Sequence, residues 1–221
     1  MAGHALRIAV FAKAPVPGAV KTRLIPALGA EGAARLHRRL VRHGLAVATG
    51  AANGMPTAAR PASVELWCAP DVTHGFFADC ASEFGVSLHA QGIGDLGERM
   101  ARCFAFAGGA TLLIGSDIPA MDAACLDAAA AALAESDAVF VPAEDGGYVL
   151  VGLRAGLGAA RDAVFRDVEW GSERVMQQTR ERLGAAGLTW RELPPLWDLD
   201  RPGDLARLAS CGMGELVESG P

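Results

Sequence analysis

Short apolar runs alternate with helix-like patterns along most of this 221-residue chain, which predicts an α/β fold with a largely parallel sheet. Three stretches carry that prediction. Leu6 to Phe11 reads as a buried strand near the start of the chain, and Thr111 to Gly115, with its uninterrupted Leu-Leu-Ile run, is the clearest buried strand. Residues 31–48 place Ala33, Leu36, Leu40, Val41, Gly44, Leu45 and Ala48 at helical spacing, with arginines on the other side. No internal repeat or dividing linker interrupts the pattern. One domain is therefore expected over residues 1–221, with its core at about 6–209.

The elements follow in order. Between the first strand and a helix starting near Ala30 lies Phe11-Ala-Lys-Ala-Pro-Val-Pro-Gly-Ala-Val-Lys-Thr-Arg-Leu24. The helix fades into Gly50-Ala-Ala-Asn-Gly-Met-Pro56 and Arg60-Pro61, a loop with two breakers. Val64 to Cys68 reads as a second strand, Thr73 to Phe84 as a short helix and Val86 to Ala90 as a short strand. Gly92-Ile-Gly-Asp-Leu-Gly97 then opens a helix through Ala107. After the strand at Thr111, Ser116-Asp117-Ile118-Pro119 leads to a helix from about Asp122 to Ala134. Strands at Ala138–Pro142 and Tyr148–Leu153 flank the turn Glu144-Asp145-Gly146-Gly147. Ser172 is placed as N-cap of a helix bearing Val175, Thr179 and Leu183 on one face. A strand near Leu188 to Leu193, the segment Trp197 to Asp204, a helix to about Ala209 and a loose tail complete the chain.

Composition narrows the function. The chain is 51% hydrophobic and 20% charged, as expected of a soluble protein with a sizeable core. Its formal charge of −5 argues against nucleic acid as a partner. The charge is uneven: residues 1–43 hold eight cations (Arg7, Lys13, Lys21, Arg23, Arg35, Arg38, Arg39, Arg42) against one acid, Glu31, and that end suits an anionic ligand. The four helix arginines also read as a solvated face. Five cysteines without CxxC spacing predict reduced thiols and a cytoplasmic protein. Neither a signal segment nor a membrane span is expected from the apolar pattern.

A strand that opens into a basic, glycine-containing loop just before a helix is a common place to hold phosphates, although such a loop can also be plain solvated surface. The P-loop spacing fails here, because Gly18 stands three residues before Lys21 and Val20 directly precedes it. Gly92, Gly94 and Gly97 do fit G-x-G-x-x-G, and Asp117 lies 20 residues beyond, the spacing of a dinucleotide fingerprint. The alternative for Asp117 is a metal ligand: its strand delivers the carboxylate to the sheet's C-terminal edge, where it can hold Mg²⁺ or Mn²⁺ against a diphosphate. A helix-capping role is the plainer option. Asp145 precedes two glycines that let backbone approach a ligand, and it can equally shape the turn. Asp198 and Asp200 are spaced to point the same way from an extended segment, and Asp204 reads as a helix cap.

Taken together, the first loop, Gly94-Asp-Leu-Gly-Glu-Arg-Met100, Ile114-Gly-Ser-Asp-Ile-Pro119, Pro142-Ala-Glu-Asp-Gly-Gly-Tyr148, Trp170-Gly-Ser172 and Asp198-Leu-Asp200 resemble the bacterial DUF2064 family, often described as glycosyltransferases of the arsenosugar-biosynthesis type. The resemblance runs from about residue 6 to 209. It implies a three-layer α/β/α domain of the GT-A, nucleotide-diphospho-sugar transferase type, akin to molybdenum-cofactor and phospholactate nucleotidyltransferases. It further implies that Ala12, Lys13, Gly18, Lys21 and Arg23, with Gly94, Asp95 and Arg99, bind the nucleotide and that Lys21 serves catalysis. Asp117 would hold Mg²⁺ or Mn²⁺. Many GT-A enzymes show Asp-x-Asp at that point, whereas Ile118-Pro119 follows here, so Asp200 or Asp145 is expected to supply the second ligand. Asp145, Gly146, Gly147, Tyr148 and Trp170 are expected on the acceptor side, with Asp145 as a general base if the reaction inverts. The glycine motif is then expected to line the base or ribose rather than a NAD pyrophosphate.

The expected function is metal-dependent transfer of a sugar from a nucleotide-diphospho-sugar to a small acceptor. A nucleotidyltransferase that takes NTP and a phosphorylated small molecule is the rival, since three cations also suit a triphosphate. A non-catalytic nucleotide-binding protein is the third possibility.

Overall fold

The computed structural model describes residues 6–54, 63–106, 109–210 and 213–214. Its strands are β1 (Arg7–Lys13), β2 (Ser63–Ala69), β3 (Ser87–Ala90), β4 (Thr111–Gly115), β5 (Ala138–Pro142), β6 (Tyr148–Leu153) and β7 (Trp190–Glu192). They form one seven-stranded sheet in the order β3-β2-β1-β4-β6-β5-β7. The neighbours of β1, β2 and β3 are parallel, as are β5 and β7, while β6 runs antiparallel to both β4 and β5. The helices are α1 (Ile25–Gly54), α2 (Gly75–Phe84), α3 (Leu96–Phe106), α4 (Ala123–Glu135), α5 (Ala159–Ala163), α6 (Val175–Ala185) and α7 (Asp204–Ser210).

Alternation along β1 builds two cores. Ile8, Val10 and Ala12 pack with Leu45 of α1, Phe77 of α2 and Leu126 of α4, whereas Ala9 and Phe11 pack with Met100 and Phe104 of α3 and Met176 and Leu183 of α6. Helices thus cover both faces of the sheet in three layers. A third cluster matters for the site. Leu24, Leu36 and Leu40 from the first loop and α1 enclose Trp197, Leu199 and Leu208, so the C-terminal segment is pinned against the first loop.

The chain winds outward from β1 through β2 to β3 and then returns to place β4 on the other side of β1. The carboxyl ends of β1 and β4 therefore flank the point where strand order reverses, which is where open α/β sheets bind ligands.

Several elements differ from their sequence reading. α1 begins at Ile25, but Gly29 inside it is non-helical (φ 70°, ψ 166°), so regular helix starts close to the expected Ala30. It runs on through Gly50 and ends at Gly54, because Ala48 and Ala51 remain buried on its packed face. α6 starts at Val175 without a side-chain cap; the Ser172 hydroxyl instead accepts the Arg174 N–H at 3.2 Å. α5 was not expected, and β7 is only three residues long. Met55-Pro56, Arg60-Pro61, Ala107, Cys211 and the tail lie outside the described residues. Among the described residues no helix is long and apolar enough to cross a membrane, and Cys68, Cys80, Cys103 and Cys125 are free thiols.

Candidate active site

β1 is buried until Ala12, and Lys13 is its first exposed residue. The chain then turns at Val16–Ala19, closed by the Ala19 N–H to the Val16 carbonyl at 3.0 Å. Pro17 and Gly18 fill its centre, with Gly18 at φ 83°, the conformation that a type II turn assigns to glycine. Lys21 follows in the left-handed region at φ 48°, uncommon for a residue with a side chain, and starts a short 3₁₀ turn, Thr22–Leu24.

Lys21 reaches inward. Its side chain is only 3% exposed, its ammonium lies 2.9 Å from Asp117 Oδ2, and it also donates to the Leu199 carbonyl. Arg23 pairs with Asp200 at the surface. Asp117 leaves the end of β4, and its backbone carbonyl accepts the Leu199 N–H at 2.8 Å. From α1 the buried His37 joins them: Nε2 is 2.9 Å from the Lys13 carbonyl and Nδ1 is 3.6 Å from Asp117 Oδ1. Burial by itself would raise the Asp117 carboxyl, but the Lys21 ammonium and then His37 outweigh it and hold the group well below the usual carboxylate range. Its side chain nevertheless keeps 42% of its surface open, enough for a ligand to reach it.

These groups floor a cleft of about 580 Å³. Ala12, Lys13, Lys21 and Arg23 line it from the first loop, Arg99 from α3, and Asp117 from β4. Asp145, Gly147, Tyr148, Trp170 and Asp200 line the remaining wall. A second cavity of about 690 Å³ adjoins it and shares Arg23, Asp145, Ser172, Asp198 and Asp200. Six carboxylates (Glu144, Asp145, Glu173, Asp198, Asp200, Asp204) line that annex against three guanidiniums (Arg23, Arg201, Arg207). Two of the arginines are committed, Arg23 to Asp200 and Arg207 to Glu144. Asp198 has the opposite electrostatic situation from Asp117. Burial, then the neighbouring Asp145 and Asp200 carboxylates, push its pKa up, with Lys21 offsetting in part.

Four residues expected at the site do not line the cleft. Gly18 forms the tip of its turn with nothing within 4 Å of an added Cβ. Asp95 caps α3: its Oδ1 accepts the Glu98 N–H at 2.9 Å while Glu98 Oε2 accepts the Asp95 N–H at 2.9 Å, a reciprocal capping box. Gly94 (φ 115°) leaves room for that box, since a Cβ there would come within 2.2 Å of Glu98 Oε2. Gly146 presses on the segment before α6, and a Cβ on it would meet the Glu173 carbonyl at 2.1 Å. Tyr148 lines the wall with its ring, but its hydroxyl is 4.0 Å from Met100 Sδ; burial pushes the phenol far up despite Thr179.

His37 and Gln91 also line the cleft and were not singled out from the sequence. His37 occupies the buried stripe of α1, where a lone histidine looks like packing. Gln91 donates to the carbonyls of Ala12 (3.2 Å) and Trp67 (2.8 Å), fastening the ends of β1 and β2; it stands directly before the glycine motif but is no part of its pattern. Asp198 did carry a signal, its spacing with Asp200.

Comparisons with known proteins agree with this architecture. The family described as "Uncharacterized protein conserved in bacteria (DUF2064)" matches residues 55–172. No curated protein matches the chain. A candidate nucleotide-diphospho-sugar transferase from Desulfovibrio desulfuricans G20 is 29% identical, with a TM-score of 0.73 over 89% of this chain and 82% of that one. A cytidylyltransferase from Leptospira borgpetersenii has a TM-score of 0.59 at 13% identity, over 94% of this chain and 86% of that one. Glucosyl-3-phosphoglycerate synthase from Mycobacterium tuberculosis, solved with Mn²⁺, UDP and glucosyl-3-phosphoglycerate, has a TM-score of 0.54 at 10% identity, over 98% of this chain and 79% of that one. At such identities the last two share the fold alone. The fold is that of nucleotide-diphospho-sugar transferases and nucleotidyltransferases.

Proposed function

Because the chain belongs to the DUF2064 family, we propose that it is a metal-dependent transferase that moves a sugar from a nucleoside diphosphate to a small acceptor. The observation that carries this reading is the cleft at the strand-order reversal, where three cations of one loop face carboxylates from three other segments. Lys13, Lys21 and Arg23, with loop amides, hold the phosphates through charge-assisted hydrogen bonds. Gly147 and Trp170 wall the acceptor side, and Asp145, at the junction of the two cavities, takes the acceptor's proton if the transfer inverts.

Among the described residues no group of three or more His, Cys, Asp or Glu is arranged to hold a metal. That suits Mg²⁺ or Mn²⁺ bound by one or two carboxylates together with substrate phosphates. Asp117 is open to the cleft, and Asp198 is an incompletely compensated carboxylate in the segment whose next residue, Leu199, bonds both Asp117 and Lys21. Asp200, expected as the second ligand, pairs with Arg23 as Asp117 does with Lys21; Asp198, which has no ion pair among the described residues, is taken here as the partner of Asp117. When bound, the ion neutralises the charge that grows on the departing diphosphate.

The annex favours glycosyl over nucleotidyl transfer. A nucleotidyltransferase must bring a second phosphate to this side, where six carboxylates face three guanidiniums, whereas a hydroxylated acceptor meets no such repulsion. The test is product analysis with UDP-, GDP- and ADP-sugars or each NTP, with Mg²⁺ or Mn²⁺, and paired acceptors such as glycerol and glycerol phosphate. Release of nucleoside diphosphate with neutral acceptors is expected. Pyrophosphate release with phosphorylated acceptors would establish the nucleotidyltransferase instead, and nucleotide binding with no turnover on any acceptor would leave a binding protein.

A further inference from the structure

Asp117 has a protein cation of its own. The Lys21 ammonium is 2.9 Å from Oδ2, shielded from solvent and fixed a second time by the Leu199 carbonyl. The other oxygen, Oδ1, faces His37 Nδ1 at 3.6 Å and accepts from the Ser116 hydroxyl at 3.4 Å. Asp198 precedes Leu199 and feels the same ammonium. A divalent ion placed between Asp117 and Asp198 therefore lies beside a buried positive charge that already uses one of its ligands, and the two cations repel.

We infer that Lys21 bars the divalent ion from Asp117 until a nucleotide's phosphates give Lys21 another partner, so that ion and nucleotide bind as a unit. This rests on the function proposed above. The phosphates bring the negative charge that lets both cations share one site. They are also better partners for an ammonium than a single carboxylate that must serve a metal. Lys21 has a short way to travel, because its ammonium already lines the cleft floor between the first loop and the Leu199 segment. Each ligand then raises the affinity of the other by one and the same factor.

The experiment is Mn²⁺ binding to the full-length protein, read by the loss of free-ion signal in electron paramagnetic resonance, alone and with ADP, CDP, GDP or UDP. For the wild type, at least one nucleotide is expected to tighten Mn²⁺ by roughly tenfold or more, within the usual range of coupling. Lys21→Met is expected to bind Mn²⁺ without nucleotide and to lose most of that coupling, and Lys21→Met/Asp117→Asn to lose the Mn²⁺ site. Equal Mn²⁺ affinity of the wild type with and without a nucleotide that itself binds would overturn the inference while leaving the proposed function standing. So would a Lys21→Met protein of native circular dichroism that still needs nucleotide. Should none of the four nucleotides bind with any metal, both readings fall. The wild-type comparison decides the matter even if the variant does not fold.

Discussion

At Asp198 the fold holds a carboxylate against its own preference. Burial first, then Asp145 and Asp200, favour its neutral form, and the offset from Lys21 is incomplete. A charge kept under repulsion is useful only if a cation comes to it. Asp198→Asn should therefore raise the melting temperature at pH 7, by up to the roughly 2–4 °C that 1 kcal/mol gives in a domain of this size. The same variant should weaken metal-dependent nucleotide binding by at least about tenfold. Calorimetry and titration with Mn²⁺ and nucleotide check both, and a lower melting temperature would show that no strain resides there. Tyr148 makes the contrary case. Its hydroxyl faces Met100 Sδ and its phenol is pushed up by burial, so Tyr148→Phe should change turnover far less than the roughly 10²-fold seen when an acid or base is lost. The cations of the first loop and Asp117 were legible in the sequence because strand ends concentrate such residues. The direction of the Tyr148 hydroxyl was not, since it depends on how α3 brings Met100 across the sheet.

Elements decide which motif residues are free to meet a ligand. The Gly94–Arg99 stretch looks like a nucleotide loop, yet its carboxylates are spent on the start of α3, where Asp95 and Glu98 cap each other's backbone amides. Asp95→Ala should cost about 1 kcal/mol of stability and leave nucleotide affinity unchanged, because the lost bonds belong to the helix end. Thermal denaturation beside a nucleotide titration separates the two effects; a matching loss of affinity would return Asp95 to the site. Capping chemistry and ligand chemistry use the same residue types, which is why sequence alone left this stretch ambiguous. Strands were easier to read. β1 and β4 are buried runs up to their last residue, and every helix covering the sheet except α5 shows its stripe or boundary in the sequence. The antiparallel setting of β6 was not stated by any run, because a strand's direction is fixed by its partners, here β4 and β5.

Over the whole molecule, the site and the anchor of the sheet sit at opposite ends of β1. At the carboxyl end Lys13 meets the cleft; at the amino end Arg7 is buried among Glu65 of β2, Thr111 of β4 and the Cys103 carbonyl of α3, at 2.8–3.2 Å. Glu65 also accepts from Trp67 Nε1 at 3.0 Å. This network ties three strands and a helix together without touching the cleft, so its loss tests stability alone. Burial would raise the Glu65 carboxyl, but the Trp67 and Arg7 hydrogen bonds and the Arg7 charge outweigh it and set the group below its ordinary 4.5. A depressed acid contributes stability that is fully present above the unfolded value and is lost as pH falls through the folded one. Glu65→Gln leaves the Arg7 guanidinium buried without a counter-ion and should cost about 3–5 kcal/mol near pH 7. The gap between variant and wild type should be flat from pH 7 down to about 5 and close progressively below about 4.5, as Glu65 itself becomes neutral. Denaturant titrations across that range are the check. A gap that stays constant down to pH 3 would mean that the charge of Glu65 contributes nothing and that shape alone holds Arg7 in place.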